Sequence, residues 1–283
     1  MRKTLAVLLL LGLAAMSGNA ETKTLKVVSW NIEYGKNFDE VLAALKAINA
    51  DVYLLQEVDI GTKRVGGRNT AEQLGDELDY DFFWSVEFQE LKQEIDGKKA
   101  FTGQATLIKK DFWLFPVVEK NYEYQAAKWT RSPFHLRSWT QPRKGGRSWQ
   151  CSRIQLGKDY PVICNTHLES NVSDKQLTRQ IKELFDYIER KFAGTNIPII
   201  IAGDLNIDEG PCSPVIKLAE SRGFTDVFQP FYDSENYPST RPHKRSTNDW
   251  ILVNDRIKVL STKIGSCDGS DHCPIIIELE LQN

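Results

Sequence analysis

The segment 197-IPIIIAGDLN-206 indicates the fold of this chain more clearly than any other stretch. The apolar run Ile197–Ala202 is typical of a fully buried strand, and Gly203, Asp204 and Asn206 follow it directly. A carboxylate at the exit of such a strand is costly unless a positive or hydrogen-bonding partner meets it. In sheet proteins, strand ends are where functional sites are built. The segment therefore predicts a sheet with a polar site at one edge.

The same order, a buried strand followed at once by polar residues, occurs four times in the chain. The four exits are Trp30-Asn31, Gln56-Glu57, Thr166-His167 and Gly203-Asp204. Side chains of these types can bind a metal ion or a phosphate. Their recurrence predicts that several strands contribute to one shared rim.

Apolar runs alternate with helical patterns along the whole chain, without a repeat or an obvious linker, which predicts one α/β domain. We expect helices over Phe38–Ile48, Ala71–Leu78, Ser173–Phe192 and Cys212–Arg222. We expect strands over Leu25–Trp30, Val52–Gln56, Phe82–Val86, Ala105–Ile108, Phe112–Val118, Trp149–Leu156, Val162–Leu168, Ile197–Ala202, Trp250–Val253, Ile257–Ile264 and Pro274–Leu281. The helix from Ser173 is the clearest, because Ser173 and Gln176 have the spacing of a capping box. Its apolar face is Leu177, Ile181, Leu184, Phe185 and Ile188.

Residues 1–20 have the pattern of a secretory signal peptide. Arg2 and Lys3 precede an apolar run over Leu5–Ala15, and small residues lead to a cleavage position after Ala20. The run is shorter than the roughly 20 apolar residues that span a bilayer. The sequence thus predicts a signal peptide over 1–20, one domain over 21–283, no transmembrane segment, and an exported protein that is periplasmic or secreted.

The predicted mature chain carries 34 basic and 38 acidic residues, a net charge of −4. This charge does not favour non-specific binding to nucleic acid, so local patches must decide the partner. The most basic stretch runs from Gln125 to Lys158 and has no Asp or Glu. It contains Lys128, Arg131, Arg137, Arg143, Lys144, Arg147, Arg153 and Lys158, interleaved with Trp129, Phe134, Trp139 and Trp149.

The five cysteines make disulfides possible in an exported protein, and their odd number leaves at least one unpaired within a monomer. Cys151 and Cys164 flank a predicted hairpin whose two-residue turn is Gly157-Lys158, a pair that suits a type II′ turn. Counting outward from this turn places the two cysteines opposite each other. We therefore expect a cross-strand disulfide; the alternative is two small buried apolar residues.

The polar residues at the strand ends favour a hard metal ion. Carboxylate and amide oxygens suit Mg²⁺, with Mn²⁺ or Ca²⁺ as alternatives. The sequence has no CxxC or HExxH motif, which argues against zinc. Mg²⁺ commonly takes one or two protein carboxylates, and Glu57 with Asn31 or Asp271 would suffice. Histidine and aspartate then remain for proton transfer, a set that fits attack of water on a phosphate.

Six short motifs also occur in one order. They are Ser29-Trp30-Asn31, Leu55-Gln56-Glu57-Val58-Asp59, Asn165-Thr166-His167-Leu168, Gly203-Asp204-Leu205-Asn206, Asn248-Asp249-Trp250-Ile251 and Ser270-Asp271-His272-Cys273-Pro274. Together they resemble the endonuclease/exonuclease/phosphatase superfamily of deoxyribonuclease-like metal phosphoesterases, over about residues 25–281. Arg64-Val65-Gly66-Gly67 and Gly103-Gln104-Ala105 look like secreted bacterial members.

The resemblance implies an α/β four-layer sandwich, with two mixed β-sheets packed face to face and helices on the outer faces. It implies that Glu57, Asn31 and Asp271 hold the metal. His167 would stabilise charge on the phosphate, and Asn206 would orient the phosphate or the water. Either Asp204 or His272 would activate the water, and Asp249 would fix the His272 tautomer. The sequence departs from the family at Trp250, where tyrosine is common.

The substrate is less clearly indicated than the chemistry. Guanidinium groups pair with phosphate and aromatic rings stack on bases, so the basic stretch makes DNA or RNA the leading expectation. Candidate substrate-binding residues are Arg64, Arg143, Arg147, Arg241 and His243. A small phosphorylated molecule, such as an inositol or sugar phosphate, and a lipid such as sphingomyelin are the alternatives, and an inactive phosphate-binding module is a third. No stable protein partner is implied, and we expect a monomer.

Overall fold

A computed structural model of the protein describes residues 24–125, 141–207, 210–233 and 238–282. The predicted signal peptide therefore lies outside the described residues. Within them, thirteen strands form: β1 Thr24–Tyr34, β2 Val52–Ile60, β3 Tyr80–Glu90, β4 Phe101–Lys109, β5 Trp113–Asn121, β6 Arg143–Gly145, β7 Ser148–Gln155, β8 Val162–His167, β9 Ile199–Asp204, β10 Phe224–Asp226, β11 Asp249–Asn254, β12 Ile257–Ile264 and β13 Ile275–Leu281. The same part of the chain forms the helices α1 Phe38–Ile48, α2 Thr70–Leu78, α3 Asp174–Phe192 and α4 Pro214–Ser221.

The strands form two mixed sheets. The first has the order β12-β13-β1-β2-β4-β3-β6 and the second β10-β11-β9-β8-β7-β5. Only β1–β2 and β8–β9 pair in parallel among the described strands; their neighbours are antiparallel. Each sheet thus has one parallel pair near its middle.

Alternation along β1 shows how the layers stack. Leu25 and Val27 belong to an apolar cluster shared with the second sheet, α3 and α4, whereas Val28 and Trp30 pack with α1 and α2. Successive side chains of a strand point to opposite faces, so β1 contributes side chains to the apolar clusters on both faces of its sheet. The predicted four-layer sandwich with helices on the outer faces is confirmed. No helix in the described ranges is long and apolar enough to cross a membrane.

The predicted capping signals act where expected on α3. The Gln176 side chain accepts from the Ser173 backbone N–H at 3.1 Å, which completes the predicted capping interaction. The whole predicted apolar face of this helix is buried. The helix predicted over Cys212–Arg222 is shorter, because Ser213 caps Val215 N–H at 3.2 Å and Pro214 starts the helix. Cys212 instead ends a short 3₁₀ helix.

The predicted hairpin and its disulfide are both present. Leu156 and Asp159 bridge across the two-residue turn, and Cys151 pairs with Cys164 in the ladder between β7 and β8. These two cysteines form a disulfide, so the alternative of two unlinked residues is excluded. A second disulfide, which the sequence did not predict, joins Cys267 and Cys273, and Cys212 is free and exposed.

Candidate active site

Both parallel strand pairs end at the same place. Asn31 and Glu57 lie three residues before the ends of β1 and β2 in the first sheet, each at a shift in the strand ladder, and His167 and Asp204 end β8 and β9 in the second. The four predicted strand exits therefore meet on one rim, which two sheets share. Asp249 begins β11 directly opposite Asp204 in the ladder, which adds a fifth polar group.

A glycine allows the close approach of β8 and β9 at this rim. Gly203 has φ of 153°, and a Cβ built on it would lie 1.7 Å from the Thr166 carbonyl oxygen. No side chain fits at that distance. The apolar-run-then-glycine pattern of the sequence thus brings Asp204 beside His167.

Irregular backbone conformations direct the side chains of Glu57 and Asn206 toward this rim. The ladder between β2 and β4 shifts register between Leu55 and Val58, and Glu57 within that bulge has φ of 52°. Asn206 has φ of 50°. Non-glycine residues rarely adopt this left-handed conformation, and those that do are enriched at functional sites. In the bulge, Gln56 turns inward to Asn165 at 2.8 Å while Glu57 faces the rim.

Asp204 is the centre of the site. One carboxylate oxygen accepts from Asn31 Nδ2 at 3.1 Å, and the other accepts from the Asn206 backbone N–H at 3.0 Å. The Nε2 atoms of His167 and His272 lie 3.4 and 3.8 Å from Asp204 Oδ2. Burial would raise the pKa of Asp204, but His272, His167 and the hydrogen bonds outweigh it and hold that pKa below its usual value. Asp204 is therefore a charged acceptor between two imidazoles.

His272 is held by Asp249. His272 Nδ1 lies 2.7 Å from Asp249 Oδ2, and the Asp249 backbone N–H donates to Thr240 Oγ1 at 3.2 Å. Burial would lower the pKa of His272, but Asp249 and Asp204 outweigh it and raise that pKa to about 9. The imidazole is consequently protonated at neutral pH, with Nε2 facing Asp204.

His167 is held by a different kind of partner. Arg147 NH1 lies 2.9 Å from His167 Nδ1, and the Glu87 carboxylate lies 3.5 Å from both groups. A neutral His167 ring accepts from Arg147 at Nδ1, whereas the protonated ring pairs its Nδ1–H with Glu87, and in both states the Nε2–H faces Asp204. Burial would raise the pKa of Glu87, but His167 and Arg147 keep it below its usual value. Glu87 is thus the carboxylate that lies beside His167.

These groups surround a cavity of about 320 Å³. Seven of the eight predicted catalytic and metal-binding residues line it, and Asp249 reaches it through His272. The lining residues are Asn31, Glu33, Tyr34, Glu57, Arg147, His167, Ser170, Asn171, Asp204, Asn206, Arg241, Lys244, Ser246, Asn248, Asp271 and His272.

The cavity offers oxygen ligands for a hard cation. Glu57 faces it and has no ion-pair partner among the residues that the structure describes. Asn31 Oδ1 accepts from the Glu33 backbone N–H at 3.1 Å, which leaves its second lone pair for an ion. Asp271 also lines the cavity, but its carboxylate pairs with Arg241. A second group, Asp204, Asp249 and His272, has potential ligand atoms within 4.8 Å of one another.

The predicted substrate-binding residues separate into two groups. Arg147 and Arg241 line the cavity, and His243 is exposed on the turn that follows Arg241. Arg64 is instead bound to Asp59 at 2.6 Å and Arg143 to Glu90 at 3.0 Å, outside the cavity lining. Both arginines are paired with a buried carboxylate, because Asp59 lies on β2 and Glu90 lies on β3 next to them.

Within the basic stretch Gln125–Lys158, the expectation that Trp149 stacks on a nucleic-acid base was wrong. Trp149 is 1% exposed and packs against Tyr187 in the core, so it is no stacking platform for a base. Arg153 and Lys158 lie toward the far end of β7 from Arg147, because the strand runs away from the site. Of the remaining basic and aromatic residues of the stretch, Lys144 is exposed on β6, whereas Lys128, Arg131, Arg137, Trp129, Phe134 and Trp139 lie outside the described residues.

Sequence reasoning missed Tyr34, which lines the cavity. Tyr34 has φ of 68° at a bulge between β1 and β2, and Arg64 lies 3.6 Å from its ring centre. No motif marks a residue whose direction depends on a bulge. The Trp250 departure is structural, since this residue is fully buried and its Nε1 donates to Thr247 O at 3.0 Å.

Comparison with known proteins matches this arrangement to one family. Residues 28–272 match the Endonuclease/Exonuclease/phosphatase family. No curated protein matches the chain in sequence. Among solved structures, the human nocturnin catalytic domain with bound sulfate is 18% identical, with a TM-score of 0.68 over 92% of this chain and 96% of that one.

Two further solved structures share the fold. An endonuclease/exonuclease/phosphatase from Bacteroides vulgatus is 17% identical, with a TM-score of 0.64 over 92% of this chain and 99% of that one. ANGEL2, a 2′,3′-cyclic phosphatase in complex with adenosine-2′,3′-vanadate, is 15% identical, with a TM-score of 0.67 over 93% of this chain and 97% of that one. At these identities the likeness concerns the fold.

Proposed function

The chain belongs to the endonuclease/exonuclease/phosphatase family, whose members hydrolyse phosphoesters, and on that premise we propose a divalent-metal-dependent phosphodiesterase with nucleic acid as its leading substrate. One observation carries the proposal. The Nε2 atoms of His167 and His272 converge on Asp204 in a cavity that Glu57 and Arg147 also line. A proton acceptor (Asp204), two hydrogen-bond donors (His167 and His272) and a positive charge (Arg147) thus surround one space for a phosphate.

The donor set of the cavity fits a hard divalent cation. Glu57 would hold it with Asn31 and Asp271, through carboxylate and amide oxygens, and Mg²⁺ is the first choice with Mn²⁺ or Ca²⁺ as alternatives. When bound, such an ion supplies Lewis-acid stabilisation of negative charge on phosphate oxygens. Asp204 suits it less because its two oxygens already accept from Asn31 and from the Asn206 backbone N–H, and Asp249 Oδ2 and His272 Nδ1 are paired with each other.

Asp204 is the proton acceptor for the attacking water in this proposal. Its carboxylate is charged, whereas His272 with a pKa of about 9 already carries the proton that a base must accept. Asn206 Nδ2 donates to Leu168 O at 3.1 Å, which fixes the amide and leaves its Oδ1 to orient the water. This assignment chooses between the two candidates that the sequence left open.

The two histidines and Arg147 stabilise the phosphate. His167 donates from Nε2 because Arg147 occupies its Nδ1, and His272 donates from Nε2 because Asp249 occupies its Nδ1. Donors fixed before the reaction stabilise the developing charge without reorganisation. Asp249 and Glu87 thus act through the imidazoles that they orient.

A basic turn supports a polyanionic substrate. It consists of Arg241, His243, Lys244 and Arg245, of which the last three are exposed. Arg241 and Lys244 also line the cavity, so the turn reaches from the cavity to the surface. Such an array suits consecutive phosphates, and the nucleotide analogue bound to ANGEL2 gives this substrate class further support.

A substrate screen with the domain 21–283 tests the function. Plasmid DNA, RNA, sphingomyelin and inositol phosphates are each incubated with Mg²⁺, with and without EDTA. We expect nucleic acid cleavage that EDTA abolishes and that falls steeply with salt. Turnover of sphingomyelin or an inositol phosphate alone would show that nucleic acid is not the substrate. No turnover of any ester would favour a phosphate-binding module.

We also propose that residues 1–20 are removed on export. The pattern at the N-terminus supports this, as do two disulfides in the described part of the chain, since disulfides persist in oxidising compartments. N-terminal sequencing of protein recovered from outside the cytoplasm should begin at Glu21. An intact Met1 in that fraction would contradict cleavage.

A further inference from the structure

The two disulfides occupy different settings. Cys151 and Cys164 join neighbouring strands and are fully buried. Cys267 and Cys273 are six positions apart, and the loop that they close contains Asp271 and His272. Cys267 is partly exposed and lines a groove of about 930 Å³ beside α1, whereas Cys273 is buried. Of the two bridges, the second is therefore the one that is open to a reagent and attached to the candidate active site.

The closed loop is tied to the site from both sides. Ser270 Oγ donates to Asn31 O at 2.7 Å, and Trp30 Nε1 donates to His272 O at 2.8 Å. On the other side, the Cys273 N–H donates to Thr240 O at 2.8 Å. Thr240 in turn holds Asp249, the partner of His272. A change in the backbone conformation at Cys273 would thus shift both Asp249 and His272.

The loop has little regular structure to hold it otherwise. β12 ends at Ile264 and β13 begins at Ile275, and the intervening chain includes Gly265 and Gly269. Gly269 has φ of 93° and packs against Val41 of α1, where a Cβ would lie 2.8 Å from the Val41 nitrogen. A covalent link across such a segment limits its alternative conformations.

We propose that the Cys267–Cys273 disulfide positions Asp271 and His272 for catalysis and makes turnover sensitive to dithiol reductants. This inference rests on the proposed function for its activity readout. A dithiol thiolate attacks the accessible Cys267 sulfur, the S–S bond breaks, and Cys273 leaves as a thiolate that takes up a proton. The second thiol of the reductant then closes its own disulfide and releases Cys267 as a thiol. The protein bridge is reduced and the dithiol oxidised, two electrons each.

The test uses the domain 21–283 with Cys212→Ser, which removes the exposed free thiol and prevents disulfide exchange. Dithiothreitol is added under native conditions, and mass spectrometry after alkylation identifies the reduced cysteines. Hydrolysis of bis-p-nitrophenyl phosphate is measured well below the melting temperature, together with amide exchange of residues 265–274. We expect Cys267 and Cys273 to be alkylated before Cys151 and Cys164. The expected kcat falls about 10- to 100-fold with a smaller change in KM, because misplaced catalytic groups cost rate.

Two further arms make the outcome specific. Oxidised glutathione should restore kcat, and the double variant Cys267→Ser/Cys273→Ser should have the low kcat with no response to dithiothreitol. Selective reduction with unchanged kcat and unchanged exchange of residues 265–274 would overturn the proposal, as would a dithiol response in the double variant. If the oxidised protein hydrolyses no phosphoester, the proposed function fails, while amide exchange still decides whether the bridge holds the loop.

Discussion

His272 Nδ1 lies 2.7 Å from Asp249 Oδ2, and this contact directs the other ring nitrogen of His272 toward Asp204. Asp249 and Asp204 outweigh burial and raise the pKa of His272 to about 9. We expect NMR titration of the metal-free protein to show this value, and Asp249→Asn to lower it toward the ordinary 6.5. Asp271→Asn is the matched control, because that carboxylate is 3.9 Å from Nε2 and its side chain is 43% exposed, and it should shift the pKa less.

The same pair predicts how stability depends on pH. A histidine whose pKa is raised on folding contributes stability that is complete below its unfolded pKa and is lost as pH rises through the folded value. For His272 this window runs from about 6.5 to about 9. Wild type should exceed Asp249→Asn in free energy of unfolding at pH 6, by less than the His272 shift alone would give, because burial raises the pKa of Asp249 and its charged form costs stability. Urea titrations should show a smaller difference at pH 10; an equal difference at both values would contradict the ion pair.

Arg147 should matter more than Arg143, its neighbour in sequence. Arg147 is buried against Glu87 and His167 and lines the cavity, so Arg147→Ala removes the arginine partner of the buried Glu87 carboxylate and a contact that holds the His167 ring. We expect a loss of roughly 3–5 kcal/mol in stability and on the order of 10² in kcat. Denaturant melts and steady-state kinetics check both. Arg143→Ala, which loses contacts to Glu90 and Tyr34, should leave kcat for a small diester within a few-fold of wild type.

Gly203 should not tolerate a side chain. A Cβ there would lie 1.7 Å from Thr166 O, so Gly203→Ala must separate β8 from β9. We expect a loss of more than about 3 kcal/mol, together with loss of activity. Gly194→Ala is the control, since Gly194 has φ of 70° and a Cβ there would meet nothing within 4 Å, and it should cost only about 1–2 kcal/mol. Similar costs for both variants in thermal melts would argue against the strand contact.

Much of this site follows from the sequence, because its residues stand at strand ends. Asp204 and His167 each follow an apolar run that predicts a buried strand, so their positions at the strand ends can be predicted without knowing which residues pack beside them. The hairpin disulfide follows from turn length alone, since a two-residue turn fixes the register of Cys151 and Cys164. These predictions depend on local geometry.

What the sequence does not give depends on which side chains meet across the two sheets. Arg147 and Glu87 lie 60 positions apart and become partners only through packing, and Arg64 looks free in sequence although Asp59 binds it. Tyr34 enters the cavity through a bulge that no residue pattern marks. The Trp149 prediction failed because interleaving with arginines resembles a binding surface, whereas strand alternation places this ring in the core.

Substitution of Glu57 tests metal binding separately from the role of Asp204 as proton acceptor. Glu57→Ala removes the cavity carboxylate that has no ion-pair partner in the described part of the chain. We expect turnover to fall by orders of magnitude and to recover in part at high Mg²⁺ or Mn²⁺, since a weakened site still fills at high concentration. Calorimetric titration of the metal should show weaker binding. Asp204→Asn, in contrast, should bind metal with nearly unchanged affinity.

The central claim is that the cavity around Asp204 hydrolyses phosphoesters, and one comparison tests it most directly. Hydrolysis of bis-p-nitrophenyl phosphate is measured with Mg²⁺ for wild type, Asp204→Asn and His272→Ala, each confirmed as folded by circular dichroism. We predict EDTA-sensitive turnover by wild type and losses on the order of 10² or more in both variants. Turnover that survives both substitutions would contradict the claim.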